Sequence, residues 1–110
     1  MKRYYLEMGA ALTLYVLVLM ASLIASQHLM EANGTRPAKA AFVDDLGSLS
    51  YGDLASRVRQ MAAGLLALGL RREERVLLLM HDCSDWPVSF LGAIYAGLVP
   101  VAVNTLLTAD

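Results

Sequence analysis

The residues best suited to chemistry lie together in one short polar segment, His81-Asp82-Cys83-Ser84-Asp85. An imidazole next to a thiol is the pairing that activates a cysteine nucleophile, because the base removes the thiol proton. Neighbouring loop positions need not face each other, and no third residue is placed to orient such a pair. One histidine and two carboxylates are also fewer ligands than a transition metal usually takes. We therefore assign no catalytic, cofactor-binding or metal-binding residue, and expect this segment to end a strand and start a helix.

The rest of the sequence rules out several kinds of binding site. Cys83 is the only cysteine, which rules out an intrachain disulfide and a cysteine metal cluster. His28 lies at the end of an apolar run and is interpreted as interfacial rather than as a ligand. A net charge of -1 without any basic run argues against a nucleic-acid partner. No glycine-rich run followed by lysine occurs, so the sequence has no phosphate loop.

The polar segment must be positioned by a strand–helix–strand unit. The continuous apolar run Val76–Met80 predicts a strand buried on both faces of a parallel sheet. A helix follows over residues 85–96 and ends at Gly97, and Val99–Val103 resembles a second buried strand. In open α/β folds, ligands bind in loops at the carboxyl ends of such strands. The polar segment occupies such a loop.

A hairpin and a helix precede this unit. The short apolar run Ala40–Val43 leads into the turn Asp45-Leu46-Gly47, and Ser48-Leu49-Ser50 resembles a returning strand, so this region predicts a β-hairpin. Apolar residues then recur at helical spacing over residues 51–68 and form one face. Ser50 is placed to cap this helix with Asp53 in the capping-box position, and Gly69 is placed to end it.

The N-terminal part is an uncharged stretch from Met8 to Met30. At about 1.5 Å per residue, a helix of this length crosses a hydrocarbon core about 30 Å thick. It predicts a single-pass transmembrane helix over residues 1–30, membrane lipid as its partner, and a membrane localisation. The alternatives are a cleaved signal peptide, which the length of the run disfavours, and a buried or amphipathic helix, which its uniform apolarity disfavours. Two basic residues on each side nearly balance, so the positive-inside rule gives only a weak preference for a cytoplasmic N-terminus.

We expect three parts: the transmembrane helix over 1–30, a linker over 31–39 in which Pro37 blocks helix continuation, and an α/β domain over 40–110. The predicted order in the last part is hairpin, helix, strand, helix, strand. One parallel strand pair leaves open sheet edges. The α/β part is therefore predicted to be incomplete, and the remainder of a domain or a partner chain is needed to close its sheet.

Five segments of the α/β part carry a family likeness: Lys39–Asp45, Ser50–Leu54, Gly64–Leu70, Glu74–Met80 and Phe90–Thr108. Through them, residues 38–110 resemble the N-terminal region of acyl- and aryl-CoA ligases of the adenylate-forming (AMP-binding) superfamily, and the last segment looks most like the benzoate-CoA ligase branch. For complete enzymes the resemblance implies that ATP and a carboxylate form an acyl-adenylate, from which CoA displaces AMP. ATP, Mg²⁺ and CoA are thus implied for complete family members. None is assigned to this chain, because the phosphate loop, the adenine-binding motif and the C-terminal catalytic lysine have no counterpart in it.

The resemblance and the apolar run together suggest a fragment of a benzoate-like carboxylate–CoA ligase on a membrane segment, inactive alone. One alternative is the N-terminal piece of a full-length, membrane-anchored CoA ligase, for which the coding sequence beyond Asp110 would supply the phosphate loop. The other is a small membrane protein whose α/β domain binds a partner. The sequence does not settle whether the chain is itself an enzyme.

Overall fold

The structure is a computed structural model that describes residues 2–106, without the side chains of residues 2–8, 19 and 21–24. Its elements follow in the order α1 (Lys2–Ala32), β1 (Ala40–Asp44), β2 (Gly47–Ser50), α2 (Tyr51–Ala67), β3 (Arg75–Leu78), α3 (Asp85–Tyr95) and β4 (Val99–Ala102). From β1 onward, this is the predicted order of hairpin, helix, strand, helix and strand. Residues 107–110, the end of the predicted 40–110 domain, lie outside the described residues.

Helix α1 corrects the prediction made for the N-terminal run. Among residues 2–106, no helix combines the length and the apolar character that crossing a membrane requires. The predicted transmembrane helix over residues 1–30 and the single-pass membrane localisation are therefore wrong. The uniformly apolar run was taken for a separate segment, whereas its helix continues through polar turns to Ala32 and packs against α3.

The contact between α1 and α3 centres on Ser26. This residue is only 1% exposed, and its hydroxyl donates a hydrogen bond of 3.4 Å to the carbonyl oxygen of Leu91. Asn33, just beyond the helix, is also buried, and its amide donates to the carbonyl oxygen of Leu29 at 2.7 Å. The last turns of α1 therefore belong to the folded α/β unit.

The hairpin and α2 form as their local sequences predict. Strands β1 and β2 pair antiparallel, with Phe42 opposite Leu49 and Asp44 opposite Gly47. The hydroxyl of Ser50 accepts the N–H of Asp53 at 3.1 Å, which confirms the cap of α2. The Asp53 carboxylate accepts from the same hydroxyl at 2.8 Å rather than from a backbone N–H, because aspartate is one methylene shorter than the glutamate of a full capping box.

The core lies where α2 packs against α3. Leu54 and Val58 of α2 are 1% and 0% exposed. Gly92 of α3 lies so close to α2 that a Cβ built on it would be 2.6 Å from Cγ of Met61. A glycine at this position lets the two helix backbones approach each other closely.

Within the described part of the chain, the parallel sheet of β3 and β4 is covered on one face only. Strands β3 and β4 pair in parallel, from Arg75 opposite Val99 to Leu78 opposite Ala102. Leu78 is 7% exposed, whereas Leu77 is 66% exposed, as alternation along a strand requires when a single face is packed. The prediction of a strand buried on both faces is therefore wrong for the described chain, in which α3 packs against β3 and β4.

Candidate functional site

The polar segment at residues 81–85 lies between β3 and α3, at the carboxyl end of β3 as predicted. Several cavities border it, and two of them are candidate binding sites. One, the strand-end cleft, lies beyond the carboxyl ends of β3 and β4. The other, the aromatic cavity, lies between β1 and α3. Asp82 and Trp86 line both, so this loop is the point where the two cavities meet.

The strand-end cleft has a volume of about 590 Å³. His81 and Asp82 line it from the loop after β3, and Asn104 and Thr105 line it from the segment after β4. Parallel pairing brings these two segments together, because both strands end at the same edge of the sheet. The polar side chains there can donate and accept hydrogen bonds.

The aromatic cavity is smaller, about 430 Å³, and mostly apolar. Its apolar lining consists of Leu29, Phe42, Val43, Trp86, Pro87, Phe90 and Leu91, and its polar lining of Asp44, Asp82, Cys83 and Ser84. Helix α1 therefore contributes to this cavity through Leu29, next to the hairpin and α3. A mostly apolar cavity with a few polar groups at one end is the usual form of a small-molecule site.

The wall of the aromatic cavity on α3 is a pair of stacked rings. Trp86 and Phe90 are four residues apart, and their ring centroids lie 5.0 Å apart with an angle of 11° between the planes. Residues at this spacing are neighbours on one helix face. Both rings line the cavity and are only partly exposed, and each has one face covered by the other ring.

Asp44 links the hairpin to the polar loop. Its carboxylate accepts the N–H of Ser84 at 2.8 Å and the N–H of Leu46 at 3.0 Å. The hydrogen bond from Ser84 lowers the pKa of the Asp44 carboxyl below its ordinary value, and the N–H groups of Leu46 and Gly47 act in the same direction. Asp44 is therefore ionised at neutral pH.

Ser84 does not cap α3 with its side chain. It occupies the N-cap position of α3, but its side chain makes no capping hydrogen bond within the described part of the chain. Its backbone N–H donates to Asp44 instead. The carboxylate of a residue 40 positions earlier thus lies at the positive end of the helix dipole.

Asp85, in the first turn of α3, forms an ion pair. Arg57 of α2 donates to its carboxylate at 2.7 Å, and the two side chains are 45% and 61% exposed. Pairs with this exposure contribute about 0–1 kcal/mol. The pair positions the start of α3 against α2 but supplies little of the energy of that contact.

His81 and Cys83, considered above as a base and a nucleophile, line different cavities. His81 lines the strand-end cleft, whereas Cys83 lines the aromatic cavity. Within residues 2–106, no three histidine, cysteine or acidic side chains lie together as a metal site. His28 is exposed on α1. The polar segment thus forms the rims of two cavities rather than one reactive group.

Sequence reasoning missed the aromatic cavity. The spacing of Trp86 and Phe90 could have indicated a shared helix face, since positions i and i+4 are adjacent. No sequence signal links Asp44 to Ser84, because the bond depends on how the hairpin packs against α3.

Comparison with known proteins shows which family this chain resembles. Residues 29–110 match the AMP-binding enzyme family. The chain is 48% identical over 75 residues to a 4-hydroxybenzoate–CoA/benzoate–CoA ligase of Rhodopseudomonas palustris, covering 68% of this chain and 14% of that protein. It is 47% identical over 74 residues to a benzoate–CoA ligase of Thauera aromatica, covering 66% of this chain and 14% of that protein.

A solved structure is similar as well. A benzoate CoA ligase from Burkholderia xenovorans superposes with a TM-score of 0.74 at 52% identity, covering 76% of this chain and 17% of that one. The chain thus spans about one-seventh, 14%, of the length of the two relatives above. The predicted resemblance to the N-terminal segment of benzoate-CoA ligases is confirmed.

Proposed function

This chain belongs to the AMP-binding enzyme family, and from that membership we propose that it serves as the N-terminal part of an aryl-CoA ligase for benzoate-like carboxylates, without ligase activity of its own. The observation that carries the proposal is its 52% identity and TM-score of 0.74 to a benzoate CoA ligase. In complete enzymes of this kind, ATP and the carboxylate give an acyl-adenylate, and CoA then displaces AMP to give the thioester.

The bare face of the sheet supports the need for further protein. Leu77 and Leu79 are 66% and 62% exposed, and Val101 on the neighbouring strand is 39% exposed. Apolar strand residues of this kind are normally covered by a second layer of structure. We propose that the remainder of a ligase domain, or a partner chain that supplies it, packs on this face.

The proposed lack of activity has a chemical basis in the sequence. Adenylation needs groups that hold the phosphates and stabilise the charge that develops on them. No glycine-rich run followed by lysine is present in these 110 residues. Among the described residues, the strand-end cleft is lined by no lysine or arginine that could neutralise a triphosphate.

Fragment complementation tests the proposal. The full chain is combined with a benzoate CoA ligase from which the matching N-terminal segment has been removed, and benzoyl-CoA formation from benzoate, ATP and CoA is measured. We expect no product from either piece alone and product from the mixture. Benzoyl-adenylate formed by this chain alone, or a mixture no more active than the shortened ligase, would contradict the proposal.

A matched pair of variants tests the proposed docking face. Leu77→Glu places a charge on the bare face of β3 and should abolish complementation. Leu46→Glu makes the same change at a hairpin-turn residue that is 96% exposed and should leave it intact. Equal complementation by both variants would show that the bare face is not the contact surface.

A further inference from the structure

We propose that the aromatic cavity between β1 and α3 is a binding site for a small planar aromatic molecule that carries a positive charge, such as an arylalkyl ammonium ion. The cavity combines a stacked pair of rings with two carboxylates. The inference does not rest on the proposed ligase function, because its ligand has the opposite charge to benzoate.

The shape of the cavity selects a flat apolar ligand. Its volume of about 430 Å³ lies within the range typical of small-molecule sites. The nearly parallel rings of Trp86 and Phe90, at 5.0 Å between centroids, form one wall, and Phe42 of the hairpin also lines the space. An aromatic ligand gains stacking contacts with these rings beyond the burial of its surface.

The charges of the cavity select a cation. Asp44 and Asp82 both line it, and no lysine, arginine or histidine is among the described residues that do so. Asp82 makes no side-chain hydrogen bond or ion pair within residues 2–106, so its carboxylate is available to a ligand. The faces of Trp86 and Phe90 also attract a cation through their ring quadrupoles.

The N-terminus of α3 does not reverse the preference of the aromatic cavity for a cation. A helix N-terminus carries about half a positive charge and would favour an anion. Here the Asp44 carboxylate already accepts the N–H of Ser84 at 2.8 Å, and Asp85 adds a second acidic group in the first turn. The two carboxylates that line the cavity outweigh that half charge, so a benzoate-like anion would be repelled.

The single tryptophan makes the site directly observable. Trp86 is the only tryptophan in the sequence, so the intrinsic fluorescence of the full chain reports on this cavity. Titration with benzylammonium should change it saturably, with a dissociation constant of about 1 mM for so small a ligand. Benzoate should bind at least tenfold more weakly, and cyclohexylmethylammonium, which has the charge without the ring, at least threefold more weakly. Amide chemical shifts of the hairpin and α3 provide a second readout.

Two variants locate the charge contribution. Asp82→Asn should weaken benzylammonium binding about two- to fivefold, the effect of an ion pair near a protein surface. Asp45→Asn makes the same change of net charge at a residue that does not line the aromatic cavity and should leave binding unchanged. Both residues are exposed, so neither substitution should impair folding. Phe90→Leu, checked for folding by circular dichroism, should weaken binding about fivefold through the lost ring.

Three results would contradict the proposed binding of an aromatic cation. Benzoate binding as tightly as benzylammonium would exclude the proposed charge selection. Equal effects of Asp82→Asn and Asp45→Asn would place the cation elsewhere. The absence of a saturable change up to about 10 mM benzylammonium, ten times the expected constant, would exclude the site itself.

Discussion

Residues 9–20 of α1 and the helix pair α2–α3 are both helical and largely apolar, yet only the pair is buried. Leu12 and Leu14 of α1 are each 64% exposed, whereas Leu54 and Val58 of α2 are 1% and 0% exposed. Apolar composition alone therefore does not decide which residues form the core of this chain.

The difference lies in how the apolar residues are arranged. Helix α2 has them on one face and polar residues such as Arg57 and Arg59 largely on the other, so only one side can face a neighbour. The run in α1 is apolar on all sides and prefers no direction. A pattern that distinguishes two faces specifies a contact surface, and a uniform pattern specifies none.

The C-terminal end of α1, unlike residues 9–20, makes a specific contact with α3. The helix packs against α3 where Ser26 is buried and donates to the Leu91 carbonyl. A small buried side chain with one defined hydrogen bond locates the helix more specifically than exposed residues such as Leu12 and Leu14.

The largest expected effect compares one substitution in both regions. Leu54→Ala should lower the free energy of unfolding by about 2–5 kcal/mol, because it removes a buried side chain and leaves a cavity. Leu14→Ala removes an exposed side chain and should change it by no more than about 0.5 kcal/mol. Urea denaturation of the full chain followed by circular dichroism measures both. A similar loss in the free energy of unfolding for the two variants would mean that α1 is as well packed at Leu14 as α2 is at Leu54.

The second prediction concerns the close approach of α2 and α3. A Cβ on Gly92 would lie 2.6 Å from Cγ and 2.7 Å from Cβ of Met61, so Gly92→Ala forces the helices apart and should cost about 1–3 kcal/mol. In Gly64→Ala, on the exposed side of α2, the new methyl group meets no atom within 4 Å. That variant should gain up to about 1 kcal/mol from helix propensity. Thermal unfolding should show a lower melting temperature for Gly92→Ala and a higher one for Gly64→Ala. Changes of the same sign in the two variants would refute the close contact between α2 and α3.

The third prediction tests where the packed part of α1 begins. Ser26→Ala removes the hydrogen bond to Leu91 and should cost about 0.5–1.5 kcal/mol. Thr13→Ala removes an exposed hydroxyl that bonds to Gly9 within the same helix, and should change stability by less than about 0.5 kcal/mol. Faster amide exchange in the last turns of α1, in the Ser26 variant only, would support the boundary. No difference between the variants would argue that α1 does not dock through Ser26.

The smallest effect is expected from the ion pair that spans α2 and α3. Arg57→Met should cost about 0.2–1 kcal/mol at low ionic strength, because both side chains are partly exposed. The cost should vanish near 1 M salt, where charges are screened within about 3 Å. A double-mutant cycle with Asp85→Asn isolates the pair. A coupling that persisted at high salt would mean that charge, and not only apolar packing, holds the helix pair together.

Most of the α/β part could be predicted because its signals are local. The cap of α2 by Ser50 depends on residues three positions apart. Gly69 and Gly97 end their helices with φ of +85° and +80°, a conformation that glycine adopts without strain. Such features act within a few residues and are visible in the sequence. The predicted ends of the two parallel strands, Met80 and Val103, lie two residues and one residue beyond the observed ends, which is the usual uncertainty of element ends.

The N-terminal run and the candidate site could be predicted only in part. An apolar run of this length has the same composition whether it crosses a membrane or forms a long helix with a packed end, so the sequence favoured the wrong interpretation. The polar segment was located correctly, but the cavities on either side of it were not.

The sequence by itself determined the family, the order of elements from β1 to β4, and the loop that carries the polar residues. Tertiary structure decided which face of β3 is covered, how the end of α1 packs, and that Asp44 lies at the start of α3. The physical reason is separation along the chain. Ser26 and Leu91 are 65 positions apart, and Asp44 and Ser84 are 40 apart. Local patterns specify helices and strands, but only the packed chain brings such distant groups into contact.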